Sequence, residues 1–533
     1  MLSAAWHRYI FLFGLIGLAA GMLFGTVPTS IPQIILAANW LLEGNFKWKW
    51  QQLKSNKIFW ILASLFFLHV IGMTYTENIQ RGLDDLRNKM PLLILPLILF
   101  STKPLSIKEL KLLFGFFFLS VFVSSVCCYL VYAGFTKKVI IDVRKASVFM
   151  SHIRFSLFIA FAIIGLLYYS IKEKQIWIKI SSVIATIWLL FFMYKLEMAT
   201  GFISLVLVGG LLLVLFSLKW LPKKVSLALV FCICVGSAFV LKSALSSLDM
   251  YDKISSNQAN TLLEKTKNGR YYLQDTVFGL AENGNLITIN INDYELQKEW
   301  DLKSTIRFDG ADKLGNGLRY TLLRYMASKG LTKDSVGIVS LTQQDILNIE
   351  NGSSNYKYSL NSGLATKWRE LVWEYIKYKR GENPSGHTLS MRLEFWKTAI
   401  DIIGDHPVFG VGTGDIQDAF NNKYIETNSQ LELVWRLRCH NQYLAIGVAF
   451  GCVGLLLFMF YLLYPAIVLR KDMHYLYWPF FLIALLSFFT EDTLETQSGV
   501  TFFIFFHTLF LWLASASPTL NTSTEGVEQS TTV

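Results

Sequence analysis

Charge is scarce in this sequence: Asp, Glu, Lys and Arg make up 16% of its 533 residues, where a soluble domain carries about 25%. So few charges cannot cover a water-facing surface, which excludes a soluble enzyme. Proline is sparse too, with 11 residues against 41 Phe, 23 Tyr and 15 Trp. A chain this rich in aromatics has enough apolar surface to offset ordering entropy, so a disordered or collagen-like polymer is excluded. The cysteines exclude a disulfide scaffold, since Cys127, Cys128, Cys232, Cys234 and Cys452 lie inside apolar runs and Cys439 lies at the edge of one. They read as small packing residues, with no paired or metal-type spacing in polar sequence.

Apolar sequence fills the chain instead, at 53% hydrophobic residues and a mean hydropathy of +0.41. Runs near the ~20 residues that cross a bilayer core fall at 9–26, 28–44, 57–74, 89–102, 110–133, 152–170, 175–195, 198–217, 225–245, 441–464, 475–490 and 498–516. They predict an all-α polytopic membrane protein of about twelve transmembrane helices, the fourth and eleventh short. The run after Arg8 continues without a small-residue cleavage site, so it reads as a retained span and not as a signal peptide. The predicted organisation is an N-terminal transmembrane bundle at 1–245, a large, mainly helical loop domain at 246–440, a C-terminal bundle at 441–516 and a disordered Ser/Thr-rich tail at 517–533.

Lysine and arginine gather in alternate connections: Lys47, Lys49, Lys54 and Lys57; Lys103, Lys108 and Lys111; Lys172 and Lys174; Lys219, Lys223 and Lys224; Arg470 and Lys471. By the positive-inside rule these connections and the N-terminus face the cytoplasm, and the large loop lies outside. The opposite connections are mixed or acidic, as from Glu77 to Lys89 and from Glu491 to Glu495, with an exception around Lys137, Lys138, Arg144 and Lys145. The net charge of +11 follows from this bias and from attraction to anionic membrane lipids. No basic stripe with interleaved aromatics points to nucleic acid.

Within the loop, Leu286 to Ile291 after the turn-forming Asn283-Gly284-Asn285 predicts a small hairpin. Apolar residues at Leu371, Trp373, Tyr375 and Ile376, and at Leu393, Trp396, Ala399, Ile400 and Ile403, recur largely at spacings of three and four and predict two helices.

In so apolar a chain, ionisable groups at span ends are the candidates for chemistry, because charge there is costly. His440 and Asn441 open the tenth span and His152 and Arg154 the sixth, Lys195 and Glu197 lie between the seventh and eighth, and Arg392 leads a loop helix one turn before Trp396. Spans six, eight and ten all run from outside to inside, so as neighbours they would bring three positive helix N-termini to the outer face. Together with Arg154 and Arg392, they make a diphosphate the natural guest. The same helix end is expected to depress the pKa of His440, holding the imidazole neutral and ready to accept a proton. Plainer readings stand beside these, since a histidine at a span end also serves as an interfacial anchor and an arginine there snorkels. The run Gly410-Val411-Gly412-Thr413-Gly414-Asp415 lacks the preceding strand and the Lys-Ser/Thr ending of a phosphate loop, which favours turn geometry. Glu491, Asp492 and Glu495 read either as groups orienting an acceptor sugar or as a solvated charge cluster. No metal-binding constellation is visible.

His440-Asn441, nine residues, then Gly451-Cys452-Val453-Gly454 resembles the signature of the O-antigen ligase and O-antigen polymerase superfamily: His, then Asn, Ser or Gln, nine residues, and Gly-x-x-Gly. Upstream, Arg392-Leu393-Glu394-Phe395-Trp396, Pro407 and Gly410-Val411-Gly412-Thr413-Gly414 is similar to that family's Arg-x-x-x-Trp, Pro, Gly-x-Gly region. The stretches from Thr490 to Gly499 and from Thr321 to Asp334 resemble versions found in Bacteroidetes members.

The resemblance implies a metal-independent, inverting glycosyltransferase of the bacterial inner membrane that needs no cofactor. Such an enzyme takes a glycan from undecaprenyl diphosphate and places it on a sugar hydroxyl at the periplasmic face, in the ligase case on lipid A–core in lipopolysaccharide biosynthesis. It implies His440 as the catalytic histidine and Arg392 as a catalytic, diphosphate-binding arginine. Arg154, Lys195, His152, Asn441 and Trp396 are the further candidates for holding diphosphate or glycan. Where the family often carries a second arginine at the start of a middle span, this chain has Leu196-Glu197-Met198-Ala199-Thr200-Gly201, and Lys195 or Arg154 is the expected substitute for an arginine at Ala199. An O-antigen polymerase or a protein O-glycosyltransferase would use the same donor and histidine. A transporter or flippase is the alternative from another class, disfavoured because the ionisable groups cluster at one face and not within spans.

Overall fold

The computed structural model describes residues 3–136, 143–252, 260–277, 279–359 and 364–528, so Lys137 and Lys138 of the charge exception lie outside the described residues. The chain divides into two compact units, Met1–Leu221 with Arg392–Val533, and Pro222–Met391.

The first unit begins with α1 (Ala4–Gly21), α2 (Thr26–Leu42), α3 (Phe46–Ser55), α4 (Lys57–Gly72), α5 (Ile79–Lys89), α6 (Pro91–Phe100), α7 (Ile107–Tyr132), α8 (His152–Lys172), α9 (Ile176–Lys195) and α10 (Ala199–Trp220). The second holds α11 (Lys223–Asp252), the hairpin β1 (Ala281–Glu282) and β2 (Asn285–Leu286), α12 (Asp293–Lys303), α13 (Leu318–Ser328), α14 (Ser335–Val339), α15 (Gln343–Glu350), α16 (Tyr356–Ser359) and α17 (Leu364–Lys379). Helix α18 (Thr388–Asp405) carries the chain back, and α19 (Ile416–Glu426), α20 (Gln442–Val468), α21 (Tyr477–Thr490) and α22 (Gln497–Glu528) complete the first unit.

Each of the twelve apolar runs coincides with a helix. Among the described residues, eight are long and apolar enough to cross a membrane: α1, α4 with the turn to Tyr75, α7, α8, α9, α10, α20 and α22 as far as Ala516. Helices α2, α6 and α21 are shorter. The environment of each follows from its sequence. From Gly499 to Trp512 helix α22 is apolar on nearly every side, and every residue there is buried, as a helical stretch without a polar face requires. Its Phe502 and Phe506 lie among Phe158, Phe161, Phe117 and Phe480, with the rings of Phe158 and Phe502 3.9 Å apart. Helices α9 and α10 expose Ile180, Ile184, Ile187, Ile203, Val206 and Leu213, a face that only a hydrocarbon solvent accommodates.

The second unit is packed like a soluble domain, with Trp300, Leu322, Met326, Ile338, Ile349 and Ile376 in one core. The expected hairpin is present, turning at Asn283 and Gly284, both at positive φ. Its strands are only two residues long, although the Ile287 amide still donates to the Leu280 carbonyl at 2.9 Å.

Hydropathy drew the polar segment as 246–440, whereas the units part after Leu221 and after Met391. The stretch from Arg392 to His440 is polar yet built into the first unit. Asp415 accepts hydrogen bonds from the amides of Glu77 and Asn78, both 2.8 Å, and Thr413 Oγ1 donates to the His69 carbonyl at 2.7 Å. Helix α22 continues to Glu528, through most of the stretch read as a disordered tail.

Candidate functional site

His440 stands two residues before α20 begins, with a left-handed backbone at φ 45°, a conformation that costs a non-glycine residue about 1–2 kcal/mol. Its neighbours hold that geometry. Asn441 caps α20 by accepting from the Leu444 amide at 3.0 Å, and its Nδ2 donates to the Phe489 carbonyl at 3.1 Å. Trp396 Nε1 donates to the Cys439 carbonyl at 3.0 Å, and the Phe395 ring lies 5.9 Å from the imidazole. Trp396 and Asn441, expected as substrate ligands, thus brace the backbone around His440.

The connection from α21 to α22 brings two carboxylates to this histidine. Asp492 Oδ1 lies 3.4 Å from His440 Nδ1. Glu491 accepts from Arg392 Nη2 at 3.0 Å and lies 4.0 Å from Arg154 Nη2. Both acids are nearly inaccessible, Glu491 at 5% and Asp492 at 8% exposure, so the reading of this stretch as a solvated cluster is corrected. Buried carboxylates persist only with partners, and the partners here are the histidine and the two arginines.

The expected depression of the His440 pKa is also corrected. Contact with Asp492 raises the imidazole above its ordinary value, against burial, with Glu491 adding to the rise and Arg392 opposing it. A full carboxylate charge beside Nδ1 outweighs the half charge of a helix end. Burial pushes Glu491 above the usual carboxylate range, with Arg392 opposing.

A second charged group anchors the same connection. Lys89, 1% exposed, contacts Asp85 at 2.7 Å and Glu495 at 2.8 Å, and Arg438 lies 3.7 Å from Glu495. Gln442, in the first turn of α20, donates to Glu495 at 3.0 Å and accepts from the Leu494 amide at 2.7 Å. Nothing in the sequence paired Lys89 or Arg438 with this stretch. The available signal was a set of acids between two apolar runs, which need counter-charges if buried.

The two glycine motifs interlock. Helix α20 is broken at Gly451, at φ 60°, and the segment from Pro407 to Gly412 fills the break. Val411 and Gly412 amides donate to the Val448 and Ala449 carbonyls, both at 2.9 Å, and Cys452 N donates to the Pro407 carbonyl at 2.8 Å. A Cβ on Gly410 would lie 2.4 Å from Ala449 C, and one on Gly451 would lie 2.4 Å from Val408 C. Unwound backbone in an apolar setting is stable only when other backbone satisfies it. The Gly410–Asp415 run is therefore structural, in line with turn geometry.

Arg154 joins the cluster from the first turn of α8. Gly201 packs against Ser156, where an added Cβ would come within 2.7 Å of the Ser156 Cβ, so the N-terminal ends of α8 and α10 adjoin. Lys195 remains apart on the exposed end of α9, 5.9 Å from the Phe191 ring centroid, with no ion pair among the described residues. His152 Nδ1 contacts Ser147 Oγ at 3.1 Å. Of the candidates to supply charge in place of Ala199, Arg154 is the one beside Glu491.

His440, Glu491 and Asp492 offer three ligand atoms within 4.8 Å of one another, a spacing that can hold a cation. The guanidiniums on Glu491 oppose one and favour an anion. The site therefore combines a carboxylate-backed imidazole with two arginines, an arrangement suited to proton abstraction beside a polyanionic leaving group.

No curated protein matches the chain. Residues 335–459, which include Arg392, Trp396, His440 and Gly451, match the model of the family described as O-antigen ligase, and this match supports the O-antigen ligase superfamily as the family of this multi-pass, mostly helical chain.

Proposed function

We propose that this protein transfers a glycan from undecaprenyl diphosphate to a sugar hydroxyl, with lipid A–core as acceptor, at the periplasmic face of the bacterial inner membrane. The observation that carries the reading is the convergence of His440, Asp492, Arg392 and Arg154 around buried Glu491, next to membrane-type helices, with His440 and Arg392 inside the matched segment. Asp492 orients the imidazole through Nδ1 and leaves Nε2 to take the acceptor's proton. The acceptor oxygen bonds to the anomeric carbon as the bond from that carbon to the diphosphate oxygen breaks, and the diphosphate leaves with the electron pair. A single displacement of this kind inverts the anomeric centre. Glu491 releases Arg392 and Arg154 to the diphosphate, where they stabilise the departing charge more in the transition state than in the ground state. The proton on His440 then passes to solvent. The activated donor supplies the driving force, so the scheme uses no nucleotide and no metal.

The test is transfer in detergent or nanodiscs from an undecaprenyl-diphosphate glycan to lipid A–core, by wild type and by His440→Ala. Transfer that disappears in a folded variant supports the reading. Donor consumption that only lengthens the glycan, or moves it to protein, overturns the acceptor. Donor binding or movement without cleavage overturns the chemistry.

A further inference from the structure

At the opposite end of α8 from Arg154, helices α7, α8 and α9 line an open-sided cavity of about 860 Å³ that no part of the proposed reaction uses. Arg154 and Lys172 stand at the two ends of this one helix, about 27 Å apart at 1.5 Å per residue, close to the ~30 Å thickness of a bilayer's hydrocarbon core. The cavity therefore opens at the other membrane face from the site around His440.

Its two ends differ in chemistry. The deeper part is lined mainly by apolar residues such as Phe116, Leu119, Leu166 and Ile178, with Ser181 and Ser182 one turn further along α9, and Gly115 on α7 leaves space there, with no atom within 4 Å of an added Cβ. The outer rim carries Lys111, Lys172 and Lys174 against the single acid Glu173, which pairs with Lys111 at 2.5 Å. Lys172 lies 5.8 Å from the Tyr475 ring centroid, and Lys174 has no ion pair among the described residues. Trp177, 65% exposed, stands beside this rim at the level where indole rings settle in a bilayer.

An apolar slot open to the bilayer, capped by an excess of lysine at one interface, has the shape and charge of a phospholipid. We propose that this cavity is a binding site for one anionic glycerophospholipid of the leaflet opposite the His440 site, its acyl chain between α7 and α9 and its phosphate against Lys172 and Lys174. A basic pocket between transmembrane helices at the membrane surface suits such a headgroup, and a volume in the hundreds of Å³ suits a bound molecule. The inference rests on the membrane-spanning helices and is independent of the transfer chemistry.

Native mass spectrometry of the full chain, released from micelles doped with phosphatidylglycerol or phosphatidylcholine, tests it. The wild type is expected to retain one phosphatidylglycerol in preference to phosphatidylcholine. The pair Lys172→Gln/Lys174→Gln should weaken that retention about tenfold or more while leaving the slot intact. Gly115→Phe should abolish it while leaving every charge in place. Equal retention of the two lipids by the wild type would overturn the proposal. So would undiminished phosphatidylglycerol retention in Gly115→Phe, since lysines acting only as a diffuse surface charge would not sense a filled slot. If Gly115→Phe does not fold, the lysine pair decides the matter by itself, and unchanged retention in that variant has the same force.

Discussion

His440 Nδ1 lies 3.4 Å from Asp492 Oδ1, across the gap between the start of α20 and the connection joining α21 to α22. The contact raises the imidazole above its ordinary pKa, and in the proposed reaction Nε2 is the nitrogen that takes the acceptor's proton. As a base, His440 must be deprotonated, so the transfer rate should rise with pH through a value above that of an ordinary histidine. In Asp492→Asn the limb should move to lower pH, because the largest raising influence is gone. The plateau rate should fall by about 10²–10⁴-fold. Transfer rates measured from pH 5 to 9 check both, and a limb that does not move would separate Asp492 from the proton transfer.

Arg392 and Glu491 form the next pair, at 3.0 Å. Removing the guanidinium leaves the buried Glu491 carboxylate without its hydrogen-bonded arginine, with Arg154 at 4.0 Å and His440 nearby, so Arg392→Ala should lower stability by about 3 kcal/mol, the low end of the cost of breaking a buried pair. Its transfer rate should fall by about 10²-fold or more. In Arg392→Met/Glu491→Gln both charges are gone, and the melting temperature should recover while transfer stays low. Recovery of both would assign the arginine a purely structural role.

Gly451 allows α20 to break, and an alanine there would meet Val408 at 2.4 Å in a backbone conformation unfavourable to side chains. Gly451→Ala should lower stability by about 1–3 kcal/mol and reduce transfer, because the segment from Pro407 to Gly412 loses its seat. Gly404, in α18 with open space around an added Cβ, is the control. Gly404→Ala should be neutral or slightly stabilising. Thermal melts of the purified variants read the difference.

Lys89 neutralises Asp85 and Glu495 in a buried setting. Lys89→Met should cost about 3–5 kcal/mol, as loss of one partner of a buried ion pair does. Burial opposes the ionisation of Glu495, but Lys89 and Arg438 win and hold it below the usual carboxylate range. Its contribution to stability is therefore present above the unfolded value of about 4.5 and is lost as pH falls through the depressed folded value. Wild-type melts should be insensitive to this group at neutral pH and fall in acid. In Lys89→Met that acid loss should be smaller.

Chelation gives a further check. Two arginines on Glu491 oppose a cation among His440, Glu491 and Asp492, so treatment with EDTA should leave transfer unchanged. A loss restored by one divalent ion would instead make these three residues its ligands.

The helices were legible in the sequence because bilayer-length apolar runs have few other solutions, and all twelve runs coincide with helices. The histidine and its arginines were legible for a related reason: charge at the end of an apolar helix is costly and therefore conspicuous. Their local motifs, from Arg392 to Trp396 and from His440 to Gly454, are contiguous in sequence, so no folding is needed to see them. Partnership was not legible. Asp492, Glu491, Lys89 and Arg438 are separated along the chain from the groups they meet, and a short polar run between two spans looks the same whether it is hydrated or sealed. That ambiguity hid the sign of the His440 shift as well, since a helix end is visible in a sequence and a carboxylate half a hundred positions away is not. By itself the sequence determined the helical membrane architecture and which ionisable residues are the candidates for chemistry, because hydropathy and residue type are local properties. The tertiary structure decided which charges are buried together, which glycines lock one backbone into another and that Arg154, not Lys195, stands beside Glu491, because burial and Coulomb interactions depend on distance in space and not along the chain.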